Sequence, residues 1–308
     1  MAEVAAVCLS EKRRVRKTKQ DSVLLIENFG IEGDAHAGPG PRQISILSDL
    51  SLARMEAEGI STFAGCCGEN IDVDGAVELH TLLPGVKLKL GNSAVVRVTE
   101  IGKNNSDDHA DNVIKGNIFP LEGVFAEVLH GGEVRAGDGV EVIREPGYSA
   151  GVLTVSDSAS RGDYSDLSGP ALIELLHSNG FLPARYAVVP DEEPEITAKL
   201  TKWCDDGFLD VVFTTGGTGF SVRDVTPEAT GMVCDRNVPG IPEMIRQKSS
   251  EIVSSAWLSR AVAGIRKKTL VINLPGSEKA AVECAEFALA VIDHGLEILR
   301  GDVTNCGQ

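Results

Sequence analysis

The sequence predicts two domains of different class, a mostly-β first half over residues 1–144 and an α/β layered second half with a largely parallel sheet over residues 145–308. Three observations carry that expectation. The chain has 308 residues, whereas one ordinary domain takes about 100 to 200. Short β-like runs separated by glycine fill the first half. The breaker cluster Arg144-Glu145-Pro146-Gly147-Tyr148-Ser149 then gives way to strands alternating with long helical patterns.

In the first half Val23 to Ile26, Gln43 to Leu47, Val86 to Leu90, Ala94 to Ile101 and Val140 to Ile143 read as strands, and their spacing predicts a barrel or sandwich. One helix, Asp49 to Glu58, follows a cap at Ser48 or Asp49 and stops at Gly59. In the second half Gly151 to Ser156 is a buried strand. Ser168 caps a helix with Pro170 in its first turn, Leu172, Leu175 and Leu176 on one face and Gly180 as its stop. A strand at Arg185 to Val189, a helix from Glu193 with Ile196, Leu200 and Trp203 on one side, and a strand at Leu209 to Thr214 complete a β-α-β-α-β order. Thr269 to Leu274 is a further apolar strand. The last helix carries Ala281, Ala285, Ala288, Leu289, Ile292, Leu296 and Leu299 on one stripe.

Composition narrows the function. A formal charge of −16 repels phosphate backbones and anionic lipid, which argues against nucleic acid or a membrane as the main partner. Seven cysteines form no CxxC pair, so neither a disulfide framework nor a zinc knuckle is expected. No run approaches a membrane span and the N-terminus lacks the order of a secretory signal, so the chain reads as cytoplasmic.

The most informative stretch is VVFTTGGTGFSVRDVTP, Val211 to Pro227. A buried strand runs into Thr215-Gly216-Gly217-Thr218-Gly219 at its carboxyl end, where open α/β sheets bind ligands. Residues without Cβ let backbone N–H groups approach an anion, and Thr215 and Thr218 add hydroxyls. It is neither a Walker loop nor a dinucleotide fingerprint. The plain alternative is a tight turn needed only for packing. Asp224 follows, a hard oxygen ligand of the kind Mg²⁺ takes in phosphoryl-transfer sites, the alternative being an Arg223–Asp224 surface pair. Asp191 follows another parallel strand and shares the same sheet edge, as do Ser156-Asp157 and Asn273-Leu274-Pro275-Gly276-Ser277.

VSDSASRGDYSDLSGPAL, VPDEEPEI, TTGGTGFSVRDVTPEAT, PGIPEMIR and NLPGSEKA occur in the order and spacing of the molybdopterin adenylyltransferase family, the MogA/MoaB group related to the G domain of gephyrin, over nearly all of Gly151 to Gly301. The resemblance implies ATP and molybdopterin as substrates with Mg²⁺, the pterin's terminal phosphate attacking the α-phosphorus and pyrophosphate leaving. Carried over, Asp191 and Asp224 match the functional, metal-holding aspartates and Gly216 to Gly219 the phosphate cradle. Ser156, Asp157, Asn273, Pro275, Gly276 and Ser277 match the pocket rim. It also implies a homotrimer, and other proteins of cofactor synthesis as partners. The runner-up is a non-catalytic pterin-binding carrier, since some MoaB-like relatives keep the fold without clear activity.

In the first half GIEGDAHAG, PRQISIL, GENI, PG and EGVFA, spread over most of residues 1–144, resemble the MOSC domain, named for the C-terminal part of molybdenum cofactor sulfurases. The resemblance implies a β-barrel that binds molybdenum cofactor or moves sulfur to it, with Asp34, Arg42 and Asn70 in the matching segments. MOSC domains commonly place a cysteine just after the segment matching Ile101-Gly102-Lys103, where this chain reads Asn104-Asn105-Ser106. Binding is therefore favoured over sulfuration. Cys66 and Cys67 lie in a different loop. The basic run Lys12, Arg13, Arg14, Arg16, Lys17 and Lys19 is a solvated face or an anchor for the cofactor's phosphate, with the Arg42 guanidinium gripping most strongly.

Overall fold

A computed structural model describes residues 2–13, 15–75, 78–102, 117–143 and 147–301. It divides into two compact units, Met1–Arg144 and Glu145–Gln308.

The first unit carries β1 (Glu3–Leu9), β2 (Thr18–Gln20), β3 (Ser22–Ile26), β4 (Gly30–Ile31), β5 (Ile44–Ser48), α1 (Asp49–Ala57), β6 (Ile71–Asp74), β7 (Lys87–Leu90), β8 (Ala94–Ile101), α2 (Phe119–Glu122), β9 (Val124–His130), β10 (Gly132–Arg135) and β11 (Val140–Val142). One sheet runs β11-β7-β8-β9-β5-β6-β1-β2 and a second β10-β3-β4. All described pairs are antiparallel except β5 with β6. The expected barrel is not a fully laddered ring among the described residues. β1 meets the far end of the order through one bridge, Glu3 with Gly139, and through Val4 N–H donating to Asp138 O at 2.8 Å. Gly137 N–H donates back to Val4 O at 2.8 Å and Val140 N–H to Ala2 O at 2.9 Å, so the contact is a short run of turn bonds rather than a strand ladder. Ser48 caps α1 by accepting from Ser51 N–H at 3.3 Å, as the sequence pattern required.

The second unit carries β12 (Ser149–Val155), α3 (Asp157–Ser160), α4 (Ser168–Ser178), β13 (Leu182–Val189), α5 (Glu193–Asp205), β14 (Val211–Thr215), α6 (Thr226–Val233), β15 (Arg236–Asn237), α7 (Gly240–Ser250), β16 (Ala263–Arg266), β17 (Thr269–Leu274) and α8 (Glu278–Arg300). The sheet order is β13-β12-β14-β17-β16-β15. The first four strands are parallel and the last two form an antiparallel edge. Val152, Phe213, Ile272 and Leu274 meet Leu172, Leu176, Ala281, Ala285, Ala288, Ile292 and Leu296 in one core. Three alanines on α8 bring that helix close to the sheet, and longer side chains fill the remaining gap. Ser168 is the first helical residue of α4 rather than its cap. The cap is supplied by Asp166, whose carboxylate accepts from Gly169 N–H at 3.1 Å.

Candidate active site

The carboxyl ends of β12, β13, β14 and β17 border one cleft of about 410 Å³, with Ser156, Asp191, Thr215, Gly216, Gly217 and Gly276 in its wall. Parallel strands force this convergence, because every strand delivers its following loop to the same edge.

The glycine turn follows β14 directly. Gly216 and Gly217 have φ of 105° and 62°, a left-handed geometry that strains other residues. A Cβ on Gly216 would collide with the Val155 carbonyl oxygen, and one on Gly276 would lie 3.2 Å from the Gly216 Cα. Close packing thus demands glycine here, while the same backbone also faces the cleft. Thr215 Oγ1 donates to Pro275 O at 2.7 Å and Thr226 N–H to Gly217 O at 3.1 Å, which fixes the turn against α6 and the loop before α8.

Asp157 and Asp191 clasp one another. Asp157 N–H donates to Asp191 Oδ2 at 2.7 Å, and Asp191 N–H returns a bond to Asp157 Oδ1 at 3.1 Å. Arg223 does not pair with its neighbour Asp224. Its guanidinium donates to both Asp157 oxygens, at 3.0 and 2.8 Å, and to Glu192 at 2.8 Å. Those bonds hold the Asp157 carboxyl below the usual carboxylate range. Burial pushes Asp191 up, and the negative charges of Asp157 and Asp224 push the same way. Asp224 accepts from Ser221 N–H at 2.8 Å. A Cβ built on Gly217 would lie 3.1 Å from Asp191 Oδ1, and one on Gly219 2.9 Å from Asp224 Oδ2. The two carboxylates therefore flank the glycine turn.

This arrangement fits one kind of cation site. No three His, Cys, Asp or Glu side chains gather around a point among the described residues, so an all-protein cage is excluded there. Two carboxylates are what Mg²⁺ takes when phosphate oxygens and waters complete its octahedron. Burial is the larger reason Asp191 is raised, and the repulsion from Asp157 and Asp224 that adds to it is the charge such a cation would offset.

Other expected rim residues have different places. Asn273 is buried and fully engaged, its Nδ2 donating to Thr214 and Thr230 hydroxyls at 2.9 and 2.8 Å and its Oδ1 accepting from Val262 N–H at 3.2 Å. It ties β17 to β14 and α6 rather than facing the cleft. Thr218 is buried, and its carbonyl accepts from Arg260 N–H at 3.0 Å. Ser156 caps α3 through Ala159 N–H at 3.2 Å. Ser277 is the exposed N-cap of α8 and makes no side-chain capping bond.

Two groups went unseen in the sequence. Arg260 donates to the carbonyls of Gly219 and Asp224 and to the Glu228 carboxylate, stitching the glycine turn to α6. It carries no motif of its own, since a lone arginine looks like any surface charge. Asp166 gathers Thr154 Oγ1 and Tyr186 OH, both at 2.6 Å, and Ser168 Oγ at 3.0 Å in the cleft wall. The aspartate before Ser-Gly-Pro was the available signal.

In the first unit Asp34 and Asn70 come together and Arg42 does not join them. Asp34 Oδ2 accepts from Lys17 Nζ at 2.8 Å and from Ser10 N–H and Asn70 Nδ2, both at 3.1 Å. Its Oδ1 accepts from His36 N–H at 2.9 Å. Burial pushes the Asp34 carboxyl up, but the hydrogen bonds from His36 and Lys17 more than offset this and hold it far below the usual range. Lys17, expected on a solvated face, is 4% exposed, because only there does its ammonium reach Asp34. Burial lowers its pKa despite that partner. The Arg42 fork is taken up by Glu100, at 2.8 and 2.6 Å, and lies 4.9 Å from the Phe125 ring centre. Lys12, Arg13, Arg16 and Lys19 remain exposed. Arg14, Asn104, Asn105 and Ser106 lie outside the described residues.

Residues 151–294 match the family described as "Probable molybdopterin binding domain". The molybdopterin adenylyltransferase of Helicobacter pylori (strain ATCC 700392 / 26695) is 46% identical over 154 residues, 49% of this chain and 88% of that protein. The chain belongs to the molybdopterin adenylyltransferase family. The adenylyltransferase of Escherichia coli (strain K12) is 44% identical over 138 residues, 44% of this chain and 71% of that protein. Among solved structures, the molybdopterin biosynthesis enzyme MoaB from Thermus thermophilus is 45% identical, with a TM-score of 0.48 over 50% of this chain and 97% of that one. The adenylyltransferase family match lies wholly in the second unit. No helix among the described residues is long and apolar enough to cross a membrane.

Proposed function

We propose that the second unit transfers AMP from ATP to the terminal phosphate of molybdopterin in cofactor synthesis. An oxygen of the pterin's phosphate attacks the α-phosphorus, the bond from that phosphorus to the bridging oxygen of the β-phosphate breaks, and pyrophosphate leaves. The supporting observation is the glycine turn, flanked by Asp191 and Asp224 and bordering the cleft, in a chain of this family. Such a transfer asks the protein for positioning and charge neutralisation, and no nucleophilic side chain is required. The amides of Gly217 to Gly219 hold phosphate, Arg223 orients Asp157 and thereby Asp191, and Arg260 keeps the turn in place. Mg²⁺ held by Asp191 and Asp224 would supply positive charge to the polyphosphate. As in the resemblance, the unit works as a homotrimer in the cytoplasm.

The first unit, on this reading, is a MOSC-type domain that binds a molybdopterin species. With the Arg42 fork occupied by Glu100, the exposed basic run supplies the field for the ligand's phosphate. Incubating purified protein with molybdopterin, ATP and Mg²⁺ tests the enzyme: adenylyl-molybdopterin and pyrophosphate should form in equal amounts. Tight pterin binding with no product would instead identify a carrier.

A further inference from the structure

We propose that Cys66, Cys67 and Met55 of the first unit form a binding site for a soft monovalent cation of the Cu(I) class. Cys66 Sγ lies 3.6 Å from Cys67 Sγ, and Cys67 Sγ lies 3.6 Å from Met55 Sδ. All three residues are at most 5% exposed, packed against Leu47, Phe119 and Phe125. Adjacent residues usually send their side chains apart in extended chain. Here a turn between Gly65 and Gly68, with φ of 84° and 90°, brings both sulfurs to one side.

The turn is braced as a metal loop needs to be. Glu69, fully buried, accepts from Gly65 N–H at 2.6 Å and Cys67 N–H at 2.8 Å. Glu69 thereby pins the backbone on both sides of Cys66 and holds the two thiols on one side of the turn. Two sulfurs 3.6 Å apart, each about 2.3 Å from a shared ion, subtend about 100° at it, so one ion can reach both without either moving. Thiolate with thioether is the donor set that selects Cu(I) over harder ions. Binding releases the two thiol protons to water.

The test uses the full-length, reduced protein under anaerobic conditions, titrated with Cu(I) against a chelating dye. One Cu(I) should be held per chain, with Zn(II) at least about 100-fold weaker. X-ray absorption should show a sulfur-only shell at about 2.3 Å. Cys66→Ala and Cys67→Ala should each lose the site, Met55→Leu should weaken it about tenfold, and Cys8→Ala and Cys284→Ala should keep it. Full stoichiometry in the Cys66→Ala, Cys67→Ala double variant, or a shell of nitrogen and oxygen in the wild type, overturns the assignment. If the double variant fails to fold, the wild-type shell decides.

Discussion

Replacing one oxygen by nitrogen at Asp224 changes the charge of the cleft and leaves its volume almost untouched. Asp224→Asn should lower AMP transfer by about 100-fold or more while molybdopterin affinity stays within about twofold, as product formation and equilibrium binding would register. Asp191→Asn should lose transfer similarly, and the double variant should be no slower than the poorer single if both side chains hold one ion. Additive losses would assign them separate tasks. At Asp191 the structure adds a cost: its Oδ2 receives the Asp157 amide, so an asparagine that turns its NH₂ toward that donor also loosens the clasp. In the first unit Lys17 and Asp34 are each 3% exposed at the side chain. Lys17→Met strands a buried carboxylate and should destabilise this unit by about 3–5 kcal/mol in chemical denaturation. A loss under about 1 kcal/mol would mean that Ser10, Asn70 and His36 alone satisfy Asp34.

At the scale of elements, α8 is held by its buried stripe and by its last residue. Leu296, one turn from its C-terminal end, is completely buried, and Leu296→Ala should cost about 2–5 kcal/mol. Its last residue, Arg300, donates to both oxygens of Asp210, at 2.8 and 2.6 Å, and Asp210 in turn receives Ser149 N–H at 2.7 Å at the start of β12. Burial raises the Asp210 carboxyl, and the Arg300 and Ser149 bonds more than offset it. Asp166 is likewise held low by Thr154 and Tyr186 against burial. Depressed folded pKa values place this stability above the unfolded carboxylate value, about 3.9. It is lost as pH falls through the lower folded values. The contribution of these two carboxylates should therefore be flat from neutrality to about pH 5 and fall steeply below about pH 4. Unfolding midpoints measured across that range check it, and Asp210→Asn should flatten the acid limb. The periodic elements of this unit were legible because α8 and α5 repeat their apolar residues at helical spacing and β12, β14 and β17 are continuous apolar runs. α7 was not, since Gly240-Ile241-Pro242 at its start reads as a breaker, and the β15–β16 edge was too short to stand out. In the cleft the glycine turn and its aspartates were legible as a motif. The role of Asn273 was not, because nothing local in a sequence distinguishes a rim asparagine from one whose amide is spent inside the sheet.

For the whole molecule, the division between Arg144 and Glu145 makes a test of function by parts. Residues 145–308 expressed alone should keep the full rate of AMP transfer, and residues 1–144 should bind a molybdopterin species without delivering sulfur to it. Binding by the first part should weaken as salt rises, since the exposed lysines and arginines act mainly through their field. A sulfurated product would make this half an enzyme as well. Intact protein should melt in two transitions, and ATP with Mg²⁺ should shift only one of them.

The turn at Gly216 and Gly217 presents main-chain atoms to the cleft, and this has a bearing on how the site responds to genetic change. A recognition surface made of backbone is shared by every residue type, so replacing side chains one at a time leaves its donors in place. A conventional alanine scan would rank the aspartates and arginines and pass over the amides. At Gly216 itself alanine would report only the clash with Val155. The phosphate selectivity proposed for this turn would be hard to erode by drift and equally hard to retune by design. Exchange of single amides for esters, or the chemical shifts of those amide protons as ligand is added, would be needed to see it.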